Sequence, residues 1–108
     1  MPDPGAWSED DLLRAVLELA ATFGWLAHHQ RPGLNQRGRW ASQIQGDAGG
    51  VDVTLVRAPR VLFWELKSAK GRLSPAQGQW RAALEACPGA EYAVVVPADL
   101  DWVAEALR

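Results

Sequence analysis

Two short apolar segments joined by Ala58-Pro59 constrain this chain more than anything else in it. Val51 to Val56 is rich in β-branched residues, and Arg60 to Lys67 carries Val61, Leu62, Phe63, Trp64 and Leu66. Such runs, bounded by turn residues, read as strands, and the short Pro-containing link between them makes a hairpin. Side chains alternate along a strand, so Glu65 and Lys67 leave on the face of Val61 and Phe63, while Leu62, Trp64 and Leu66 take the other. An acid and a lysine ending an otherwise apolar strand need a reason, because buried charge is costly unless it is paired or metal-bound. Asp52 stands near one end of the neighbouring strand, where the hairpin brings it close to Glu65.

Two explanations fit these charges. One is an ordinary strand-end salt bridge. The other is a cation site: two hard carboxylates a few ångströms apart repel, and a divalent ion resolves the repulsion, with Mg²⁺ or Mn²⁺ suiting oxygen ligands and positions filled by water or phosphate. Lys67 would then stabilise charge on a transferring phosphoryl group or orient the attacking water. Downstream, Ser74-Pro75 reads as the N-cap and first residue of a helix with Trp80, Ala83 and Leu84 facing inward. Gln77 lies on the stripe of Trp80 and Leu84, a polar residue where apolar ones belong. That places its amide over the sheet, within reach of the same site.

The remaining elements follow from periodicity and caps. Ser8, with Asp11 three residues on, opens a helix whose stripe is Leu12, Val16, Leu19, Ala20 and Phe23, ended by Gly24. Trp25 to His29 reads as a short strand, Tyr92 to Val96 as a strand covered on both faces, and Asp99 as the cap of a helix with Leu100, Val103, Ala104 and Leu107 inward. The order is α-β-β-β-α-β-α, and its last β-α-β step predicts a mixed sheet flanked by helices in one domain of 108 residues. Residues 1–7 read as a loose lead and 30–50 as a long basic loop, either a nucleic-acid-tracking segment with Arg31, Arg37, Arg39 and Trp40 or a disordered insertion. Trp25, Trp64, Trp80 and Trp102 read as core or dimer-interface residues, Trp7 and Trp40 as exposed contacts, and Cys87 as buried or half-buried.

The net charge of −2 argues at first sight against a polyanionic partner, but its distribution does not. Residues 31–81 hold nine basic residues and three acids, a local +6 against −8 for the two flanks. The local field steers a polyanion more than the total charge does. A single cysteine excludes an internal disulfide and a cysteine-based zinc site within one chain. No apolar run approaches the roughly 20 residues of a membrane span, the acidic opening MPDPGAWSEDD is unlike a signal peptide, and a cytoplasmic protein is expected.

The run VTLVRAPRVLFWELKSAKGRLSPAQGQW resembles the VRR-NUC branch of the PD-(D/E)xK nuclease superfamily: an apolar strand, a Pro-Arg turn, ELK, Gly-Arg-Leu-Ser-Pro, then Gln and Trp. The resemblance extends from Ser8-Glu9 to the final helix. It implies a restriction-endonuclease-like α/β fold, with an α-β-β-β-α-β core, a mixed central sheet flanked by helices and a C-terminal helix. It further implies Asp52, Glu65 and the Leu66 carbonyl as metal ligands, Lys67 as the catalytic lysine, and Gln77 as the helix glutamine that follows the motif. The family's first-helix glutamate, a further metal residue, falls best on Glu9, with Glu18 as competitor, and its histidine after Gly-Trp falls on His29. Val51 departs from the pattern, since the family usually has proline before the motif aspartate. The function implied is a Mg²⁺- or Mn²⁺-dependent DNA endonuclease on branched or four-way-junction DNA, working as a homodimer, with Lys70 and Arg72 joining Arg37, Arg39 and Trp40 as DNA contacts. The alternatives are an inactive DNA- or partner-binding module of the same fold, and a phage or defence nuclease acting on other nucleic acids.

Overall fold

The computed structural model describes residues 4–30, 33–34, 40–41 and 46–108. Its major elements are α1 (Glu9–Thr22), β1 (Leu26–His29), β2 (Gly33–Leu34), β3 (Trp40–Ala41), β4 (Val53–Arg57), β5 (Arg60–Leu66), α2 (Pro75–Glu85), β6 (Ala90–Val95) and α3 (Leu100–Leu107). Strands β1, β4, β5 and β6 form a mixed sheet in that spatial order. β4 pairs antiparallel with both β1 and β5, and β6 lies parallel to β5. This is the α-β-β-β-α-β core with a C-terminal helix that the sequence predicts. The expected 30–50 loop differs in part: β2 and β3 form a two-stranded ladder of their own, while Arg31, Arg37 and Arg39 lie outside the described residues.

The period-2 alternation places Val53 and Leu55 of β4, and Leu62, Trp64 and Leu66 of β5, on one sheet face, all buried. They pack with Leu12, Leu13, Val16 and Ala20 of α1 and with Val103 and Leu107 of α3. These two helices cover that face, as their apolar stripes predict. The other face is covered unevenly. α2 lies against β6 and has no buried residue of its own, and Leu26 and Val56, paired across β1 and β4, remain 76% and 36% exposed.

Several expectations about burial are corrected by this one-sided arrangement. Ala83 is exposed and Trp80 and Leu84 are only half-buried, because α2 packs over a sheet edge rather than its centre. β6 is that edge, and only Val95 on it is buried. Trp102 is 49% exposed, tilted at 40° against the buried Trp64 with ring centroids 5.4 Å apart. Trp7 is half-buried rather than exposed, and Cys87 is exposed. Asp99 accepts from the Val96 N–H at 2.9 Å and so caps the 3₁₀ turn Pro97–Asp99 instead of α3 itself. In the expected loose lead, Pro4–Ala6 forms a 3₁₀ turn packed against Pro97–Asp99.

Arg57 and Arg60 serve the far end of the hairpin. The Arg57 guanidinium donates to the carbonyls of Phe23 at 2.9 Å, Leu107 at 3.1 Å and Arg108 at 3.0 Å, tying together the C-terminal ends of α1 and α3. It also lies 4.6 Å from the centre of the Trp25 ring, whose Nε1 donates to the Leu107 carbonyl at 2.8 Å. These carbonyls are ones no helix can satisfy from within. Arg57→Ala removes all three bonds and the ring contact, and is expected to lower stability by about 2–3 kcal/mol. Urea unfolding measures this, and a loss below about 0.5 kcal/mol, the range of an ordinary surface change, would contradict it.

Candidate metal and catalytic site

The acidic pair assembles because the hairpin register continues past the last paired residues. β4 and β5 pair Val53 with Trp64, so Asp52 falls opposite Glu65, and the Gln30 N–H donating to the Asp52 carbonyl at 3.1 Å extends the β1–β4 ladder by the same step. Asp52 turns its carboxylate toward β5, where Oδ2 accepts from the Leu66 N–H at 2.8 Å. Thus an edge bond that a strand partner would otherwise make is made by the aspartate. The Leu66 N–H thereby fixes Asp52 beside Glu65.

Glu65 is the buried charged residue among those described, at 0% exposure. Oε1 accepts from Nε2 of Gln77 at 2.9 Å, while Oε2 is buried without a hydrogen-bond partner among the described residues. Burial above all, reinforced by the neighbouring Asp52 carboxylate, pushes its carboxyl up to about 8. Lys67 pulls in the opposite direction, and the Glu9 charge adds a smaller upward push. A buried carboxylate with a free oxygen beside a second carboxylate is costly alone and fitted to a hard divalent cation. The donor set therefore fits Mg²⁺ or Mn²⁺. No three His, Cys, Asp or Glu side chains converge tightly enough for one ion among the described residues, so carbonyl, water or phosphate oxygens would complete the shell.

Gln77 is positioned by the cap of its own helix. The Ser74 N–H donates to Gln77 Oε1 at 2.9 Å, and the Gln77 N–H donates to Ser74 Oγ at 3.2 Å, a reciprocal capping box. A backbone N–H can only donate, so the amide oxygen must face Ser74 and the NH₂ group must face Glu65. The Ser-x-x-Gln spacing was readable in the sequence, but its consequence for the amide's polarity needs Glu65 in place. Lys67 follows β5 directly, and its N–H donates to the Val95 carbonyl at 2.9 Å, continuing the parallel ladder. Its stem packs on Gly71, where an added Cβ would stand 3.1 Å from both Cβ and Cδ of Lys67.

The other expected residues divide. Glu9 is the first residue of α1 and its charge acts on Glu65, whereas Glu18 lines a groove with Trp7, Ala15, Leu19, Thr22 and Leu100. Of the two histidines, His28 pairs with Thr54 and shares the sheet face of Asp52 and Glu65, while His29, opposite Val53, points to the other face; both are exposed. Lys70 and Arg72 are exposed in the segment between Lys67 and α2. Trp40 contributes its backbone to β3. Arg57 and Arg60 stand five residues along β5 or beyond, roughly 16 Å from Glu65, and Arg60 is engaged with Glu91 at 2.8 Å and the Ala106 carbonyl. Arg81 pairs with Glu85 at 3.2 Å. Three of the nine basic residues in the central block are thus spent on structure, and the positive field near the acids rests on a smaller set. Sequence reasoning missed Tyr92, whose hydroxyl is buried without a hydrogen-bond partner among the described residues and is pushed up by burial and by Glu65.

No family model and no curated protein matches the sequence. Among solved structures, a VRR_NUC domain matches with a TM-score of 0.61 and 17% identity, covering 90% of this chain and 94% of that one. No helix among the described residues is long and apolar enough to cross a membrane. The similarity covers nine-tenths of the chain: with its mixed four-stranded sheet, this chain has the restriction-endonuclease-like fold of a VRR-NUC domain.

Proposed function

We propose that the protein is a divalent-metal-dependent DNA endonuclease. The observation that carries this reading is the buried Glu65 carboxylate beside Asp52, with Oε2 unpartnered among the described residues. Asp52, Glu65 and the Leu66 carbonyl would hold Mg²⁺ or Mn²⁺, with Glu9 acting at longer range. A cation bound there supplies charge neutralisation at a phosphodiester and lowers the pKa of water. Gln77 keeps Glu65 in its ligating orientation, donating to Oε1 and leaving Oε2 for the ion. The Lys67 ammonium, projecting beside Glu65, places a positive charge where the phosphate gains negative charge during hydrolysis. Lys70 and Arg72, together with Arg37, Arg39 and Trp40, are the proposed contacts to the DNA backbone and bases.

One chain offers one such site, and cutting both strands of a junction needs two. We therefore propose a homodimer with two-fold symmetry acting on branched or four-way-junction DNA. The test is cleavage of a labelled four-way junction and of a linear duplex, with Mg²⁺ or Mn²⁺, by the parent protein and by Asp52→Ala and Lys67→Ala. Activity in the parent alone is expected, and equal activity in all three would sink the assignment. A second reading, a DNA- or partner-binding module of this fold without turnover, draws support from the fact that no third acid converges on the pair among the described residues. Mn²⁺ titration by calorimetry separates the two, since a dead site gives no heat that depends on Glu65.

Gln77→Leu isolates the role of the amide. The substitution removes the Nε2 donor to Glu65 and the capping oxygen together, and loss of such an outer partner weakens metal binding by about 10–100-fold. Mn²⁺ affinity is the measurement, and an unchanged dissociation constant would exclude Gln77 from the site.

A further inference from the structure

We propose that residues 48–50 are clamped onto the first two turns of α2 and that Gly49 and Trp80 are positioning residues for Asp52, an inference that rests on reading Asp52 and Glu65 as the working pair. Gly49 has φ +91°, a backbone conformation that L side chains rarely adopt. It also approaches α2 more closely than any other residue type allows. A Cβ at Gly49 would stand 2.5 Å from the Ala76 carbonyl carbon, 2.7 Å from its oxygen and 2.8 Å from the Gln77 nitrogen. All three are backbone atoms and cannot swing aside. On the same segment the Ala48 carbonyl accepts from Trp80 Nε1 at 2.9 Å, and Gly50 lies against the Trp80 ring, 3.9 Å from where its Cβ would be.

Only Val51 separates this clamp from Asp52, and Val51 has no ring to fix its backbone. The direction in which Asp52 enters the site is therefore set by the hold of α2 on residues 48–50. That same stretch of α2 carries Gln77, whose side chain holds Glu65 Oε1. Both carboxylates are thus referenced to the N-terminal half of one helix: Glu65 through the Gln77 amide, and Asp52 through Gly49 and Trp80. The spacing of the acidic pair then depends on α2 as well as on the hairpin register.

Gly46 provides the internal control. Its φ is +94°, yet among the described residues a Cβ there meets nothing within 4 Å, so Gly46→Ala imposes the same backbone penalty without touching α2. The reporter is the Leu66 N–H, whose acceptor is Asp52 Oδ2; the neighbouring Lys67 N–H, bonded to Val95, reports the strand itself. Gly49→Ala is expected to speed exchange of the Leu66 amide about tenfold or more while Lys67 stays protected, and to weaken Mn²⁺ binding by about 10–100-fold, as loss of an outer support does. Gly46→Ala should leave both within about twofold, the range of an ordinary surface change. Trp80→Phe, which removes both the bond to Ala48 and the indole edge that lies against Gly50, should move both readings in the direction of Gly49→Ala and carries the test if Gly49→Ala does not fold. Equal effects of the two glycine substitutions, or a Leu66 amide unchanged in both Gly49→Ala and Trp80→Phe, would overturn the clamp. A parent protein that neither binds Mn²⁺ nor cuts DNA would instead overturn the functional reading, and the Leu66 comparison would still decide the clamp.

Discussion

Glu65→Gln is expected to abolish Mn²⁺ binding and DNA cleavage while leaving the metal-free fold at least as stable as the parent above neutral pH. Glutamine is nearly isosteric with glutamate and its carbonyl oxygen can still accept from Gln77 Nε2, the bond now made at 2.9 Å. What disappears is the charge, and with it the repulsion from Asp52. In the folded protein burial, reinforced by Asp52, pushes the Glu65 carboxyl up to about 8 from an ordinary value of 4.5. Between those two values the folded chain holds a proton that the unfolded chain has released. Stability without metal therefore falls as pH rises from the lower value through the upper, with a slope of at most about 1.4 kcal/mol per pH unit. A divalent cation reverses the preference by stabilising the ionised pair, so its stabilising effect grows with pH over the same range. Urea unfolding in chelator across this range is the measurement. The Glu65→Gln profile should be flatter than that of the parent, and parallel profiles would show that Glu65 does not titrate as its burial implies.

Lys67→Met separates catalysis from binding. The substitution keeps a flexible apolar stem against Gly71 and removes the ammonium. Taking one such charge from a developing anion slows hydrolysis by about 10²–10³-fold. Lys67 also pulls the Glu65 carboxyl down, so its removal raises that group further and weakens metal binding where Glu65 is partly protonated. Mn²⁺ affinity measured well above pH 8 removes this indirect effect, and there the variant should bind within about threefold of the parent, a difference of under 1 kcal/mol. The expected signature is a fall in kcat with a nearly unchanged metal affinity. A Lys67→Met protein that cuts DNA at the parental rate would assign the lysine to packing.

The parts of this fold legible in the sequence are those governed by short-range periodicity. Alternation in Arg60 to Lys67 places Glu65 opposite the core set Leu62, Trp64 and Leu66, and the structure buries all four. Ser8 with Asp11 and Ser74 with Gln77 form the capping boxes that open α1 and α2, because a cap is decided within one turn. Reading failed where a residue's fate depends on distant chain. Ala83 has a helical stripe's spacing, yet it is exposed because α2 reaches only the sheet edge. Arg57 and Arg60 look like members of a basic surface until α1, α3 and Glu91 arrive to use them. Gly49 and Gly50 look like loop punctuation until α2 is laid against them, and the twin glycine was the one local signal of a close backbone approach.

The candidate site shows the same division. Asp52 and Glu65 could be paired from hairpin register alone, and Gln77 could be placed over the sheet by helical spacing. The Leu66 N–H bond to Asp52 and the amide polarity of Gln77 could not be foreseen, since each requires two elements docked in a particular way. Tyr92 escaped notice because a tyrosine in an apolar strand is ordinary, and only its position across from Phe63 on the face of Glu65 gives its buried hydroxyl meaning.

The most direct test of the central claim is a crystal of the protein soaked in Mn²⁺ and measured for anomalous scattering. An anomalous peak between the Asp52 carboxylate and Glu65 Oε2, in contact with both, is the predicted result. A map at high Mn²⁺ concentration with both carboxylates ordered and no peak between them would contradict the account.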